Sequence, residues 1–391
     1  MHDVAAQRVR GFGTSIFTEM SRLAAEHDAV NLGQGFPDFP GPDFVKEAAK
    51  QAIDANANQY AVSFGTPRLR QEIANTWLSQ TGQQLDAVTE ITVTSGATEA
   101  IFDVMQAFTA ADDEIVVFEP FYDSYPASAA MAGSRLRPVT LQAPDWSFAR
   151  ADAEAAFGPR TKLLLLNTPH NPTGKVFRRE ELELLAELCQ RWNVIAVTDE
   201  VYDRITFGEA AHLSIATLPG MRERTLTINS TGKTFSMTGW KIGFAIGPAH
   251  LNAVLRAVHQ FVTFATATPF QEAMADALAL APRIGYYQQL QREYDERRVL
   301  LEQALAGAGL PVLPVKGAYF LMADVSGLGF ADDVGFCRWL TSEVGVASVP
   351  PSAFYADAAR APLLARFCFA KQEETIARAA ERLQRLPALL P

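Results

Sequence analysis

Cysteine is scarce in this chain and forms no pattern. Cys189, Cys337 and Cys368 stand far apart with no C-x-x-C pair, so neither a disulfide framework nor a zinc site is expected. They read as small buried side chains, and no metal is expected. Positive charge is also short, since 34 Lys and Arg against 44 Asp and Glu leave a net charge of -10. An extended basic face for nucleic acid is therefore not expected, and anion binding falls to a few placed cations. Long apolar runs are missing: "KLLLLN" has the length of a buried strand, far below the roughly 20 residues of a membrane helix. The opening "MHDVAAQRVRGFGTSIF" has two arginines but no apolar stretch after them, so no secretory signal is expected and the cytoplasm is the default. No repeat or low-complexity linker divides the chain.

What is there describes an ordinary globular enzyme. The chain has 391 residues, 48% hydrophobic and 20% charged, enough for two sizeable domains. Short β-rich runs alternate with helical ones. "EITVTS", "DEIVVFEP", "TKLLLLNTP", "NVIAVTDE", "RTLTINS" and "KIGFAIG" read as strands, and "GATEAIFDVMQAFTA" and "REELELLAELCQRW" as helices between them. Strongly apolar strands in that alternation predict an α/β fold, a mostly parallel sheet covered on both faces. Near residue 280 the pattern changes. A long polar-faced helix over 285–309, strands "GAYFLMADV" and "LARFCFA", and a closing amphipathic helix predict a smaller α+β domain.

The segment "NSTGKTFSMTGWKIG" (229–243) poses the chemical question. Gly232-Lys233-Thr234 looks like the end of a phosphate-binding P-loop, but that loop needs a glycine five positions earlier, where this chain has Thr227 inside a strand. A lysine in a turn after a strand is ordinarily a solvated charge. Here Ser230 lies three residues before Lys233 and Lys241 eight after it, a hydroxyl and a cation suited to hold a phosphate beside a reactive amine. A neighbouring cation and burial also lower an amine's pKa, which carbonyl chemistry requires.

A phosphorylated cofactor bound through a lysine is pyridoxal phosphate, and its other needs are specific. Its ring nitrogen needs an acid, and Asp199 ends the strand "VIAVTD", where open α/β sheets bind ligands. Such an Asp is otherwise a helix cap. Tyr202 and Asn171 are placed to reach the phenolic oxygen, although "NTPHNPTGK" also reads as a plain tight turn. The phosphate needs free N–H groups, which Gly96, Ala97 and Thr98 offer at a helix start. Tyr122 offers a ring to stack on the cofactor, or a core aromatic.

In order and spacing, "NLGQGFPDF", "NQYAVSFGTPRLR", "SGATEA", "EPFYDSY", "NTPHNPTGK", "DEVY", "STGKTFSMTGWKIGF", "GAYF" and "RFCFAK" together resemble the class I/II aminotransferases, pyridoxal-phosphate enzymes of fold type I. Within them the chain is similar to the methionine and kynurenine/glutamine aminotransferases. The resemblance implies a seven-stranded, mostly parallel sheet in a large domain over 41–284. It also implies a small domain over 285–391, joined by an N-terminal arm and flap over 1–40. Lys233 becomes the Schiff-base lysine and catalytic base, Asp199 the pyridinium partner, and Tyr202 and Asn171 the partners of the phenolic oxygen. Tyr122 stacks on the ring, while Ser230, Lys241 and the 96–98 turn take the phosphate. Tyr60 is implied to reach the phosphate of the other subunit in a homodimer. Two departures stand out: Gly232 replaces a second hydroxyl common in relatives, and Lys241 replaces an arginine.

For substrate, Arg366 in "LLARFCFA" would by default be a solvent-facing charge. The resemblance makes it the anchor of the amino acid's α-carboxylate, assisted by Asn171 and the backbone at Gly35. Phe17, in the flap "GTSIFTEMSRL", is implied to wall the side-chain pocket, against an ordinary core role. Ping-pong transfer of an amino group from methionine, glutamine, leucine or aromatic donors to a 2-oxo acid is the implied activity. A cysteine-conjugate β-lyase or kynurenine aminotransferase activity in the same site is the alternative. A transcription regulator on this fold would need a DNA-binding domain, for which there is no room before Gly11.

Overall fold

The structure, a computed structural model, describes residues 4–390. The first three residues of the expected arm, and Pro391, lie outside it. The strands are β1 (Val30–Asn31), β2 (Ile91–Ser95), β3 (Glu114–Glu119), β4 (Arg135–Thr140), β5 (Thr161–Asn167), β6 (Ile195–Asp199), β7 (Thr225–Ser230), β8 (Ile242–Ile246), β9 (Phe320–Asp324), β10 (Val346–Ala347) and β11 (Leu364–Cys368). Seven of them make one sheet in the order β2-β8-β7-β6-β5-β3-β4. All neighbours run parallel except at β8, which is antiparallel to both β2 and β7. The six strand-like runs all form strands. The seventh, β4, was not legible, because "RLRPVT" carries two arginines and a proline. It lies at the sheet edge, with only Val139 buried, and an edge tolerates proline.

Both faces of the sheet are covered. Ile115, Val117, Leu163, Leu165, Val197 and Ile228 pack on helices Ala97–Phe108 and Ala249–Val262. Val116, Leu164, Leu166 and Ala196 face the opposite way, toward helix Arg179–Trp192. That alternation explains the unbroken apolar strands, because each side chain is buried whichever face it meets. Full burial of each leucine or valine contributes about 1.5–3 kcal/mol.

A second core gathers the C-terminal third. β9 and β11 pair antiparallel, with Arg366 opposite Met322, and helix Tyr286–Gly307 lays Leu290, Tyr294, Leu301 and Leu305 against them. The N-terminal segment joins this core. β1 pairs in parallel with β10, Val30 opposite Val346, and Leu32 is fully buried there. Tyr202 and Tyr319 meet at 5.0 Å between ring centres, where this core touches the loop after β6. Among the described residues no helix is long and apolar enough to cross a membrane.

Candidate active site

One edge of the large sheet collects the predicted residues. β2, β3, β5, β6 and β7 end there, and β8 starts there because it runs the other way. Gly96 follows β2, Tyr122 follows β3, Asn171 follows β5, Asp199 ends β6, Ser230 ends β7, and Lys241 directly precedes β8. Carboxyl ends of strands in open α/β sheets are where ligands bind. Here they line a cavity of about 280 Å³, which also takes in Phe17, Gly35, Ala97, Thr98, Tyr202, Lys233 and Arg366. A larger cavity of about 530 Å³ lies past Ser230, lined by Glu200, Asp203 and His212 among others, and contains neither Lys233 nor Asp199.

Lys233 sits in the single turn Thr231–Thr234, which Ser230 caps by accepting the Gly232 N–H at 3.2 Å. Its Nζ donates to the Tyr319 hydroxyl at 2.7 Å, and that hydroxyl donates to the Gly35 carbonyl at 2.6 Å. Burial lowers the Lys233 amine from the ordinary lysine value to about 8, so a neutral amine is accessible near neutrality. A methyl group on Gly232 would stand 3.1 Å from the Thr238 Cα, so the missing second hydroxyl matches a tight backbone approach.

Asp199 is buried, and burial raises its carboxyl to about 6 even though the Tyr125 hydroxyl donates to Oδ2 at 2.7 Å. The Asn167 amide donates to the Asp199 carbonyl at 2.8 Å, and Asn167 Oδ1 accepts the Asn171 N–H at 2.7 Å. Strand end and loop are thereby locked together.

Arg366 departs from the default for a strand arginine, being fully buried. It donates to Asn171 Oδ1 at 3.0 Å and to the Gly33 carbonyl at 2.9 Å, while its Nε has no partner. Phe320, Phe17 and Phe354 surround the guanidinium at 4.2, 5.0 and 5.3 Å. Phe17 therefore both lines the cavity and packs on the arginine. With Oδ1 of Asn171 taken by Arg366, its amide N–H groups are left for the cavity side.

At the opposite end, Gly96 adopts φ +83 and caps helix Ala97–Phe108. A Cβ there would stand 2.9 Å from the Lys241 Nζ, so glycine is what lets that amine close over the turn. Tyr60 is not brought to the cavity of its own chain. It is 83% exposed and pairs edge-on with Phe264 at 5.1 Å. Several residues in contact with the predicted set were not singled out from the sequence, among them two tyrosines, Tyr125 on Asp199 and Tyr319 on Lys233. Both lie in quoted stretches, "EPFYDSY" and "GAYF", but tyrosine in an apolar context reads as core until its hydroxyl partner is seen.

The charge balance fits a polyanionic ligand. Lys233, Lys241 and Arg366 line the cavity against the single carboxylate of Asp199. Among the described residues no carboxylate pairs with Arg366, whose unpartnered buried Nε suits an incoming anion. The residues present therefore fit pyridoxal phosphate and an amino acid.

Comparison with known proteins agrees. The family model for aminotransferase class I and II matches residues 27–383. A methionine aminotransferase of Escherichia coli (strain K12) is 42% identical over 374 residues, covering 96% of each chain. Kynurenine–oxoglutarate transaminase 1 of Homo sapiens is 40% identical over 412 residues, covering 97% of each. The solved structure of N-succinyldiaminopimelate aminotransferase from Mycobacterium tuberculosis superposes with a TM-score of 0.94 at 41% identity, over 98% of this chain and 100% of that one. The chain, matched over nearly its whole length in sequence and in structure, belongs to the class I and II aminotransferases and is a pyridoxal-phosphate-dependent transaminase of fold type I.

Proposed function

We propose that this transaminase takes methionine and other large neutral amino acids as donors and passes the amino group to a 2-oxo acid by ping-pong transfer. The observation that carries the reading is Arg366, the one arginine in the cavity lining, buried among aromatic rings with no carboxylate of its own. It serves the α-carboxylate that every donor has. Among the described residues of this chain no second arginine lines the cavity to pair with a side-chain carboxylate, whose unpaired burial costs several kcal/mol. Thioethers, in contrast, pack well against rings such as Phe17 and Phe36, which line the cavity.

When bound, pyridoxal phosphate supplies an electron-withdrawing ring that accommodates the electron pair left as an amino acid loses its Cα proton. The chain's own residues do the rest. Lys233 would hold the cofactor through its Nζ and, as a free amine, would take the Cα proton, steadied by Tyr319. Asp199, oriented by Tyr125, holds a proton at the ring nitrogen. Tyr202 and Asn171 serve the phenolic oxygen, and Tyr122 covers the ring. Ser230, Lys241 and the 96–98 turn hold the phosphate. In a homodimer Tyr60 would cross to the partner's phosphate, which accounts for its exposure here. Residues 1–40 act as arm and flap, 41–284 as the cofactor domain and 285–391 as the small domain.

Specificity constants for methionine, phenylalanine, glutamine and aspartate test the substrate reading. Methionine should rank high and aspartate low. Arg366→Lys should depress all four alike, because one point charge replaces a bidentate fork. Phe17→Ala should reorder them, with a smaller common loss because Phe17 also packs on Arg366. A wild-type preference for aspartate would reject the pocket assignment.

Lys241→Ala should loosen the cofactor by about tenfold to a hundredfold, the equivalent of one charge-assisted hydrogen bond. The dissociation constant measured by dialysis reads this directly, and kcat at saturating cofactor should stay close to wild type. Unchanged retention on dilution would remove Lys241 from the phosphate site.

A further inference from the structure

One buried cluster of ionisable groups lies outside the site above. Glu99 and Asp103 are four residues apart on helix Ala97–Phe108, hence on one face, and His259 of helix Ala249–Val262 packs against them. His259 is fully buried, and its Nε2 lies 2.7 Å from the Ser63 carbonyl. A carbonyl only accepts, so Nε2 carries the hydrogen, and in the neutral ring Nδ1 is a lone pair. Nδ1 faces Glu99 Oε1 at 2.7 Å and Asp103 Oδ2 at 3.8 Å. Asp103 is fully buried too, and neither of its carboxylate oxygens has a hydrogen-bond partner. In that neutral form three electron-pair donors face one point, all within 4.8 Å of one another. Against burial, the Glu99 contact raises the ring toward its protonated form, so an ion and a proton compete for Nδ1. An unpartnered buried carboxylate is costly, and burial, with Glu99 alongside, pushes Asp103 up to about 7. Something positive belongs between these groups, either shared protons or a metal ion.

We propose that Glu99, Asp103 and His259 bind one divalent d-block ion of the zinc class. One imidazole and two carboxylates form a ligand set that zinc and manganese accept and that magnesium, which prefers oxygen and water, does not favour. Ligand atoms around a tetrahedral zinc, each about 2.1 Å from it, lie about 3.4 Å apart, between the two separations seen at Nδ1. The Nε2–H bond to Ser63 is the outer support that a ligating histidine ordinarily has, fixing its tautomer and its ring. Water completes the coordination. Glu99 also accepts the Ser95 N–H through Oε2, one residue before the Gly96 turn, so an ion here would stiffen that turn. No sequence pattern announces the site, because His259 lies 160 residues from Glu99 and no cysteine takes part.

The test uses holoenzyme cleared of metal with a chelator and then titrated with zinc chloride. One equivalent should survive gel filtration, measured by plasma mass spectrometry, and the melting temperature should rise. Crystals grown with zinc should show an anomalous peak among the three side chains. Asp103→Asn should weaken zinc binding by about tenfold or more. If that variant fails to fold, His259→Gln is expected to lose zinc in the same assay. No retained equivalent, an anomalous peak elsewhere, or wild-type zinc affinity in a folded variant would overturn the site and leave the three groups sharing protons.

Discussion

Lys233→Ala should hold its cofactor and turn over amino acids more slowly by about 10²–10⁴-fold. The substitution leaves Asp199, Tyr202, Asn171, Lys241 and the Gly96 turn in place, so the ring and phosphate contacts assigned above survive. What goes is the one amine in the cavity that burial holds near 8 and that Tyr319 aims inward at 2.7 Å. A positioned proton-transfer group of this kind contributes about 10²–10⁴-fold. Lys233→Arg should be as slow, since guanidinium stays charged and cannot take a proton at neutral pH. A small added amine should restore part of the rate to Lys233→Ala, because the cavity left by the side chain admits it, but none to Lys233→Arg. Borohydride treatment of the wild type should leave a pyridoxyl label on Lys233 and on no other lysine. Turnover by Lys233→Ala within about tenfold of the wild type without added amine, or a label elsewhere, would end the assignment.

Fold class was legible because the strands are buried on both faces. "TKLLLLN" and "EIVVFE" can be nothing but sheet interior once helices of the right length flank them. The edge strand over 135–140 was hidden by the same physics. Half solvated, it has no need of an apolar run and carries Arg135, Arg137 and Pro138 instead. Among site residues, those that follow a strand end were readable, because the end of a strand fixes the place of the next side chain. Arg366 was readable only by resemblance. Nothing in "LLARFCFA" shows that its guanidinium turns inward to Asn171, 195 residues away.

The unread part is mostly hydroxyls and pairings between distant segments. Tyr319 reaches Lys233 from the core of the C-terminal third, and Gly35 joins the same contact from the N-terminal segment. The amine is thus held by three segments that meet only in the folded chain. That arrangement ties the reactive nitrogen to the seam between the two cores.

Asp199→Asn should slow turnover by about a hundredfold or more and, in the cofactor-free protein, raise stability above pH 6. Both effects come from one cause. Burial raises the Asp199 carboxyl from 3.8 to about 6, so in the empty site the ionised form is disfavoured. A group with a raised folded value binds more protons folded than unfolded between those two limits. Its stabilising effect is complete below about 3.8 and is lost as pH rises through about 6. That rise corresponds to about 3 kcal/mol at neutral pH. Asparagine keeps the shape and can accept from Tyr125, but it has no charge to lose. In the proposed role, a bound ring would change the balance, because a protonated ring nitrogen at Asp199 would favour the carboxylate that burial alone disfavours. Asparagine cannot hold that proton, so the ring loses much of its pull on the Cα electrons, and loss of one placed electrostatic group costs about 10²–10³ in rate. Melting curves of both cofactor-free proteins from pH 4 to 8 should converge at the acid end and separate above pH 6, with the variant higher. Single-turnover rates with methionine should fall while cofactor remains bound. Parallel melting curves across that range would mean that Asp199 is not strained in the empty site. A near-normal rate would mean that it is not the partner of the ring nitrogen.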